Sequence, residues 1–94
     1  MPRSIVTKAR FERAYRRLPL TNQDLVDAAL RSFGHYLETG RAPLGLGIKH
    51  LGGQTYEFRA GLALRIIYFV DNEEIVLALL GNHDEVRRFI KENK

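Results

Sequence analysis

Two hydrophobic rhythms divide the chain. Phe11, Ala14, Tyr15 and Leu18 recur at i, i+3, i+4 and i+7, one helical face, with Arg10, Arg13, Arg16 and Arg17 around the rest. The sequence Leu18-Pro19-Leu20 ends that helix, because the residue before a proline is pushed out of the helical region. A second helical face runs through Val26, Ala29, Leu30, Phe33 and Leu37. Thr21 is placed to cap its start, with Asp24 three residues on, and Gly40 to stop it. Two amphipathic helices joined by a proline turn predict a helical hairpin, which must bury its stripe against another layer.

The strands supply that layer. Ser4-Ile-Val-Thr7 is β-branched and suits a short strand. A loop-like stretch, residues 41–47, carries Pro43, Gly45 and Gly47. Three strands are then expected over residues 54–60, 64–70 and 74–80, with a polar turn at Asp71-Asn72-Glu73. The second is apolar on both faces except at Arg65, and the third is apolar throughout, as central strands are. Asn82 and Glu85 form a cap pair for a last helix with Val86, Phe89 and Ile90 as its apolar positions. The expected order is β-α-α-β-β-β-α, a single α+β domain over residues 1–94. Its helical hairpin packs on one face of a mostly antiparallel sheet, and the other face has only the short last helix. Tyr15, Tyr36, Tyr56 and Tyr68 read mainly as packing residues, with the side taken by Tyr56 depending on register.

Composition narrows the class. Ninety-four residues, 45% hydrophobic and 28% charged, fit one folded domain and argue against disorder. With no cysteine there is no disulfide framework and no thiolate metal site, which fits a reducing cytosol. The longest apolar run, residues 66–70, is far too short to span a bilayer, and the opening segment lacks a signal peptide's apolar core. A small, soluble, intracellular protein is expected. Its net charge of +4 invites a polyanionic partner. That charge is concentrated. Residues 1–20 hold Arg3, Lys8, Arg10, Arg13, Arg16 and Arg17 against Glu12, a net +5. Residues 48–70 hold Lys49, Arg59 and Arg65 against Glu57, a net +2, and the remainder is acidic. These two regions are the candidates for phosphate contact; for the first helix, a merely solvated charged face is the plainer alternative.

Arg65 carries the most information. A guanidinium in the strand Ala63-Leu-Arg-Ile-Ile-Tyr-Phe69 must reach water, a carboxylate or a bound anion, since an unpaired buried charge is costly. A three-residue loop at 60–62 would set Glu57 opposite Arg65, whereas a four-residue loop would set Arg59 opposite Leu64 and separate the pair. The pair could serve stability alone or orient Arg65 for a ligand. His83 follows a Gly-Asn break in the first turn of the last helix, where free N–H groups favour anions. An imidazole there, near arginines, suits proton transfer at a phosphate ester; an exposed residue at a helix start is the bland reading. His35 and His50 have no evident partner, and three scattered histidines make a metal site unpromising. Neither a phosphate-binding G-x-x-x-x-G-K-[ST] nor a G-x-S-x-G elbow occurs.

Taken in order, Leu51-Gly-Gly-Gln-Thr-Tyr-Glu-Phe-Arg59, Leu64-Arg-Ile-Ile-Tyr68 and Gly81-Asn-His-Asp-Glu-Val86 resemble the RelE/ParE superfamily of bacterial type II toxins. The resemblance spans nearly the whole chain. It implies one of two activities. RelE-like members are metal-independent, ribosome-dependent mRNA endoribonucleases; ParE-like members inhibit DNA gyrase, and a non-catalytic antitoxin-binding relative is a further alternative. The RelE-like branch is favoured because of His83. The resemblance then assigns catalytic roles to Arg65, His83 and Glu57, and substrate binding to Arg59, Lys49 and Arg87. Lys8, Arg10, Arg13, Arg16 and Arg17 would dock on ribosomal RNA. The implied partners are a cognate antitoxin, the ribosome and mRNA, in the cytoplasm, with no membrane and no cofactor. The chain departs from the best-known RelE type in having Thr55 and Glu57 where that type has lysines. It also carries Arg87 and Arg88 near the place of a base-stacking aromatic.

Overall fold

A five-stranded sheet is the middle layer of the computed structural model, which describes residues 4–93. The elements are β1 (Ser4–Thr7), α1 (Ala9–Arg17), α2 (Leu20–Thr39), β2 (Lys49–Gly52), β3 (Thr55–Ala60), β4 (Leu64–Asp71), β5 (Glu74–Gly81) and α3 (His83–Glu92). Across the sheet the order is β1-β5-β4-β3-β2, antiparallel except where β1 runs parallel to β5. The α+β architecture and the helical hairpin are those expected, with one strand more. The sequence assigns no element to Lys49-His-Leu-Gly, between the loop expected over residues 41–47 and the strand from residue 54, because it has no alternating pattern. It is a strand because β3 offers it a ladder, interrupted between His50 and Gly52. Arg3, counted in the basic N-terminal stretch, lies outside the described residues.

Local chemistry explains most of the boundaries. α1 stops at Leu18, whose ψ of 145° is extended as the following proline requires. α2 then begins at once, with Pro19 in the cap position and its carbonyl accepting from Asn22 and Gln23 N–H. Thr21 therefore sits inside the first turn and does not cap the helix, contrary to expectation. Gly40 does end it, in the left-handed conformation at φ 74°. The two helices are pinned together where the Tyr15 hydroxyl donates to Asp27 Oδ1 at 2.7 Å and Gln23 Nε2 to the Tyr15 carbonyl at 3.0 Å. Accepting that bond, the Asp27 carboxylate raises the Tyr15 pKa above its ordinary value of 10.0.

The hairpin lies on one sheet face. Phe11, Val26, Ala29 and Phe33 pack on Phe58, Ile66, Tyr68, Ile75, Leu77 and Leu80. Phe33 is the hub, with ring centroids 4.4 Å from Phe58 and 4.7 Å from Tyr68. The other face carries a smaller cluster, Ile67, Ala78 and Leu79 under Val86 and Phe89 of α3. A bulge explains how β5 serves both. Tyr68 pairs with Leu77 but Ile67 with Leu79, so Ala78 is an inserted residue. Ile75 and Leu77 face the hairpin before it, and Leu80 does so after it, with the alternation reset in between. The continuous apolar run of β5 follows from this, and the reset leaves Gly81 opposite Arg65. Among the described residues no helix is long and apolar enough to cross a membrane.

Candidate functional site

The β3–β4 register decides which charges meet. The loop joining these strands is residues 61–63, with Ala60 opposite Leu64, Arg59 opposite Arg65 and Glu57 opposite Ile67. This is shifted by two residues from the register that sets Glu57 opposite Arg65 and by one from that which sets Arg59 opposite Leu64. Glu57 and Arg65 are diagonal neighbours on the same face, close enough for long side chains to join. Arg65 Nη1 donates to Glu57 Oε2 at 2.8 Å. Glu57, 5% exposed, is the one buried charged residue among those described, and the guanidinium is what makes its burial tolerable.

Two further cations share that face. Lys49 lies opposite Glu57 on β2, and Arg59 lies directly across from Arg65. Like charges facing each other across a ladder repel, so an anion between them is favoured. The Arg59 backbone N–H donates to the Leu46 carbonyl at 2.8 Å, which extends the sheet edge with the loop before β2. Its side chain rests on Gly47, where φ is 61° and a Cβ would come 3.3 Å from Arg59 Cδ. Gly47 thus lets the Arg59 stem lie flat on the loop. The pair of glycines at 45 and 47 signalled a loop, but not that it cradles an arginine.

His83 is reached within two residues of Gly81, the β5 partner of Arg65. It is the first, exposed residue of α3. The turn that carries it is held on both sides by the expected capping box: Glu85 N–H donates to Asn82 Oδ1 at 2.9 Å, and Asn82 N–H to Glu85 Oε1 at 3.0 Å. Gly81 has to be glycine for this, since a Cβ there would come 2.9 Å from Glu85 Cβ. Arg87 follows His83 by four residues and therefore shares its side of the helix. Arg65, Arg59, Glu57 and Lys49 are thus brought together on the α3 side of the sheet. His83 starts α3 two residues beyond Gly81, the β5 partner of Arg65, and Arg87 lies one turn further along the helix.

The basic first helix is elsewhere, with one bridge. Arg10 places its guanidinium 5.5 Å from the centre of the Phe89 ring, which ties α1 to α3 past the sheet edge. Arg10 is therefore not simply solvated, an outcome that helical spacing in α1 could not show. Lys8, Arg13, Arg16 and Arg17 are exposed, with Arg16 3.7 Å from Glu12. Arg87, Arg88 and Lys91 line a shallow depression of about 470 Å³ on α3 with Asp84 and Ile90. Phe89 itself is packed against Phe69, centroids 6.3 Å apart, as the sequence implied. His50 belongs to the hairpin side, its ring tilted 38° against that of Tyr56 at 4.8 Å, with Nε2 2.8 Å from the Gly53 carbonyl oxygen. His35 lies exposed on α2, so neither histidine joins the groove.

No protein-family model and no curated protein sequence matches the chain. Solved structures do. A copper-bound mutant toxin from Helicobacter pylori is 19% identical, with a TM-score of 0.69 over 89% of this chain and 98% of its own. RelE in the archaeal RelE–RelB complex from Pyrococcus horikoshii is 18% identical, with a TM-score of 0.67 over 87% and 96%. The YoeB/ParE toxin from Agrobacterium tumefaciens is 16% identical, with a TM-score of 0.63 over 85% and 98%. Four strands linked by tight turns, a parallel edge strand and a helical hairpin on one face thus form the fold of the RelE and YoeB/ParE toxins.

Proposed function

We propose that this chain is the toxin of a type II toxin–antitoxin pair and a metal-independent, ribosome-dependent mRNA endoribonuclease acting in the cytoplasm. The observation that carries the proposal is the facing pair Arg59–Arg65, set on an open part of the sheet two residues from the start of the helix that bears His83. In such a reaction the 2′-oxygen attacks phosphorus, the bond to the 5′-oxygen breaks, and a 2′,3′-cyclic phosphate is left. The 2′-hydroxyl loses a proton and the 5′-oxygen gains one; His83 carries one transfer and water the other. Arg65 and Arg59 neutralise the charge that grows on the phosphorane. Glu57 is buried and already bonded to Arg65, which suits it to fix the guanidinium's direction. Lys49 and Arg87 would bind the flanking backbone. Lys8, Arg10, Arg13, Arg16 and Arg17 would grip ribosomal RNA through charge, so binding should weaken steeply with salt. The solved RelE–RelB complex supports a cognate antitoxin as the protein partner.

The test is a bacterial translation reaction with mRNA breaks mapped by primer extension. Breaks are expected with the unaltered chain, and Arg65→Ala or His83→Gln should reduce them at least 100-fold, the scale of losing a transition-state donor or proton carrier. An intact message beside a folded, ribosome-bound protein would overturn the nuclease reading. The Glu57–Arg65 bond favours one competitor, because a guanidinium with a carboxylate partner can serve stability alone. A ParE-like gyrase inhibitor or a non-catalytic antitoxin-binding relative would keep its activity in the His83→Gln variant.

A further inference from the structure

The sheet face that carries Arg59 and Arg65 has a second feature at its other end. Side chains four residues apart on a strand share a side, so Thr55 and Phe69, themselves paired across β3 and β4, stand on the same face as Arg59 and Arg65. The two pairs are about 13 Å apart along the strands. Glu57 and Ile67 lie between them, with Lys49 alongside on β2. The last helix follows the same direction. His83 starts it two residues beyond Gly81, the partner of Arg65, and Phe89 near its end packs on Phe69. Because α3 covers β4 and β5, the Lys49–Leu51 and Thr55–Arg59 side of the face forms a trough beside the helix.

A cavity of about 360 Å³ occupies the Phe69 end of that trough. Leu51, Thr55 and Phe69 form its floor, and Phe89, Ile90 and Asn93 its helical wall. The register shift between His50 and Gly52 makes Leu51 the inserted residue of a bulge, which turns its side chain to the cavity. Leu51, Phe69 and Ile90 are only half-buried, so apolar surface faces the opening. Among the described residues no charged side chain lines it. Two polar groups there have unspent capacity. The Thr55 hydroxyl has no hydrogen-bond partner among the described residues. Asn93 spends Nδ2 on the Phe89 carbonyl at 2.8 Å, which leaves Oδ1 as an acceptor.

From these features we infer that the cavity holds one unstacked nucleobase of a single-stranded RNA whose backbone runs along the trough, past Lys49, to the Arg59–Arg65 pair. Each end of the trough selects its own part of the strand. The cations gather at the Arg59 end, where a phosphate gains charge-assisted hydrogen bonds. The uncharged end, with aromatic and aliphatic walls and a hydroxyl and an amide oxygen among them, suits a neutral planar ring with donors and acceptors on its rim. An acyl chain is a poorer occupant, because it leaves the Thr55 hydroxyl and Asn93 Oδ1 unmatched. The inference rests on the reading of Arg59–Arg65 as a phosphate site and deepens it, since a bound base would fix which stretch of the strand is presented to the arginines.

The test titrates the purified full chain with a five-nucleotide strand whose 2′-O-methyl riboses block cleavage, and with the same strand lacking its bases, followed by methyl NMR. The base-bearing strand should bind at least tenfold tighter, the scale of one base stacked on aromatic side chains, and should shift the Leu51 and Ile90 methyls, which the abasic strand leaves in place. Thr55→Phe fills the cavity and should bring the two affinities within twofold of each other. Ile90→Gln, on the helical wall, should narrow the difference at least threefold and keeps the test decisive should Thr55→Phe misfold. Arg59→Ala should weaken both strands alike. Equal affinities for the unaltered chain, no binding of either strand at millimolar concentration, or a preference untouched by both cavity substitutions would overturn the inference. So would Leu51 and Ile90 shifts produced by octanoate and not by the base-bearing strand. Cleavage is read separately in the translation reaction. Breaks without base-dependent binding would remove the base site and leave the nuclease reading; base-dependent binding without breaks would do the reverse.

Discussion

The two faces of one sheet have been given opposite work. On the hairpin face, the rings of Phe33, Phe58 and Tyr68 pack with centroids 4.4–5.8 Å apart and leave no charged group between them. On the α3 face, the same β3 and β4 present Glu57, Arg59 and Arg65, and α3 covers only the other end, over Ile67, Ala78 and Leu79. Alternation along a strand makes this possible, because adjacent residues such as Arg65 and Ile66 cannot share a side. The lesson is a division of labour. One face supplies cohesion, so the other can hold facing cations that contribute nothing to packing.

Substitutions can break that contrast, beginning with the largest effect. Phe33→Ala should cost about 3–5 kcal/mol in denaturant unfolding, the usual loss for an aromatic at the centre of a core, and no single change on the α3 face should equal it. Arg65→Ala should cost about 2 kcal/mol, because Glu57 is left buried and unpaired. Replacing both, Glu57→Leu with Arg65→Met, should recover most of that loss while abolishing any binding of phosphate, read by calorimetric titration with a short RNA. Gly81→Ala drives a Cβ against Glu85 and should lose the capping box, worth about 1 kcal/mol. Asn82→Ala isolates the cap and should give a similar or smaller loss in the same unfolding assay.

The smallest effect concerns the hairpin itself. Tyr15 keeps its proton more tightly in the folded state than in the unfolded one. The stabilisation is thus complete below the unfolded value of about 10 and is lost as pH rises through the raised folded value. Stability measured from pH 8 to 11 should fall at the alkaline end, and Tyr15→Phe should flatten that part of the curve.

The sequence made the cohesive face easier to read than the charged one. The Phe11 and Val26–Phe33 stripes, the Pro19 break, the Gly40 stop and the Asn82–Glu85 cap each follow from local chemistry, and each is present. The reading of Thr21 as a cap failed because Pro19 lets α2 start two residues earlier. β2 escaped notice because Lys49 to Gly52 become a strand through pairing alone. The groove was legible as a list of residues, Arg59, Arg65, Glu57 and Lys49, but not as a geometry. Whether the turn occupies 60–62 or 61–63 changes no hydrophobic pattern, yet it decides whether Arg65 faces Glu57 or Arg59. Contacts such as Arg10 on Phe89 depend on two helices meeting past the sheet edge, which no period within either helix encodes.

The parallel pairing of β1 with β5 also sets an order of assembly. β3, β4 and β5 are joined by turns of two or three residues and can zip together locally. Ser4 must wait for Glu74, so that pairing closes a loop about seventy residues long, the costliest closure in the sheet. During synthesis the first strand made is the last to find its place.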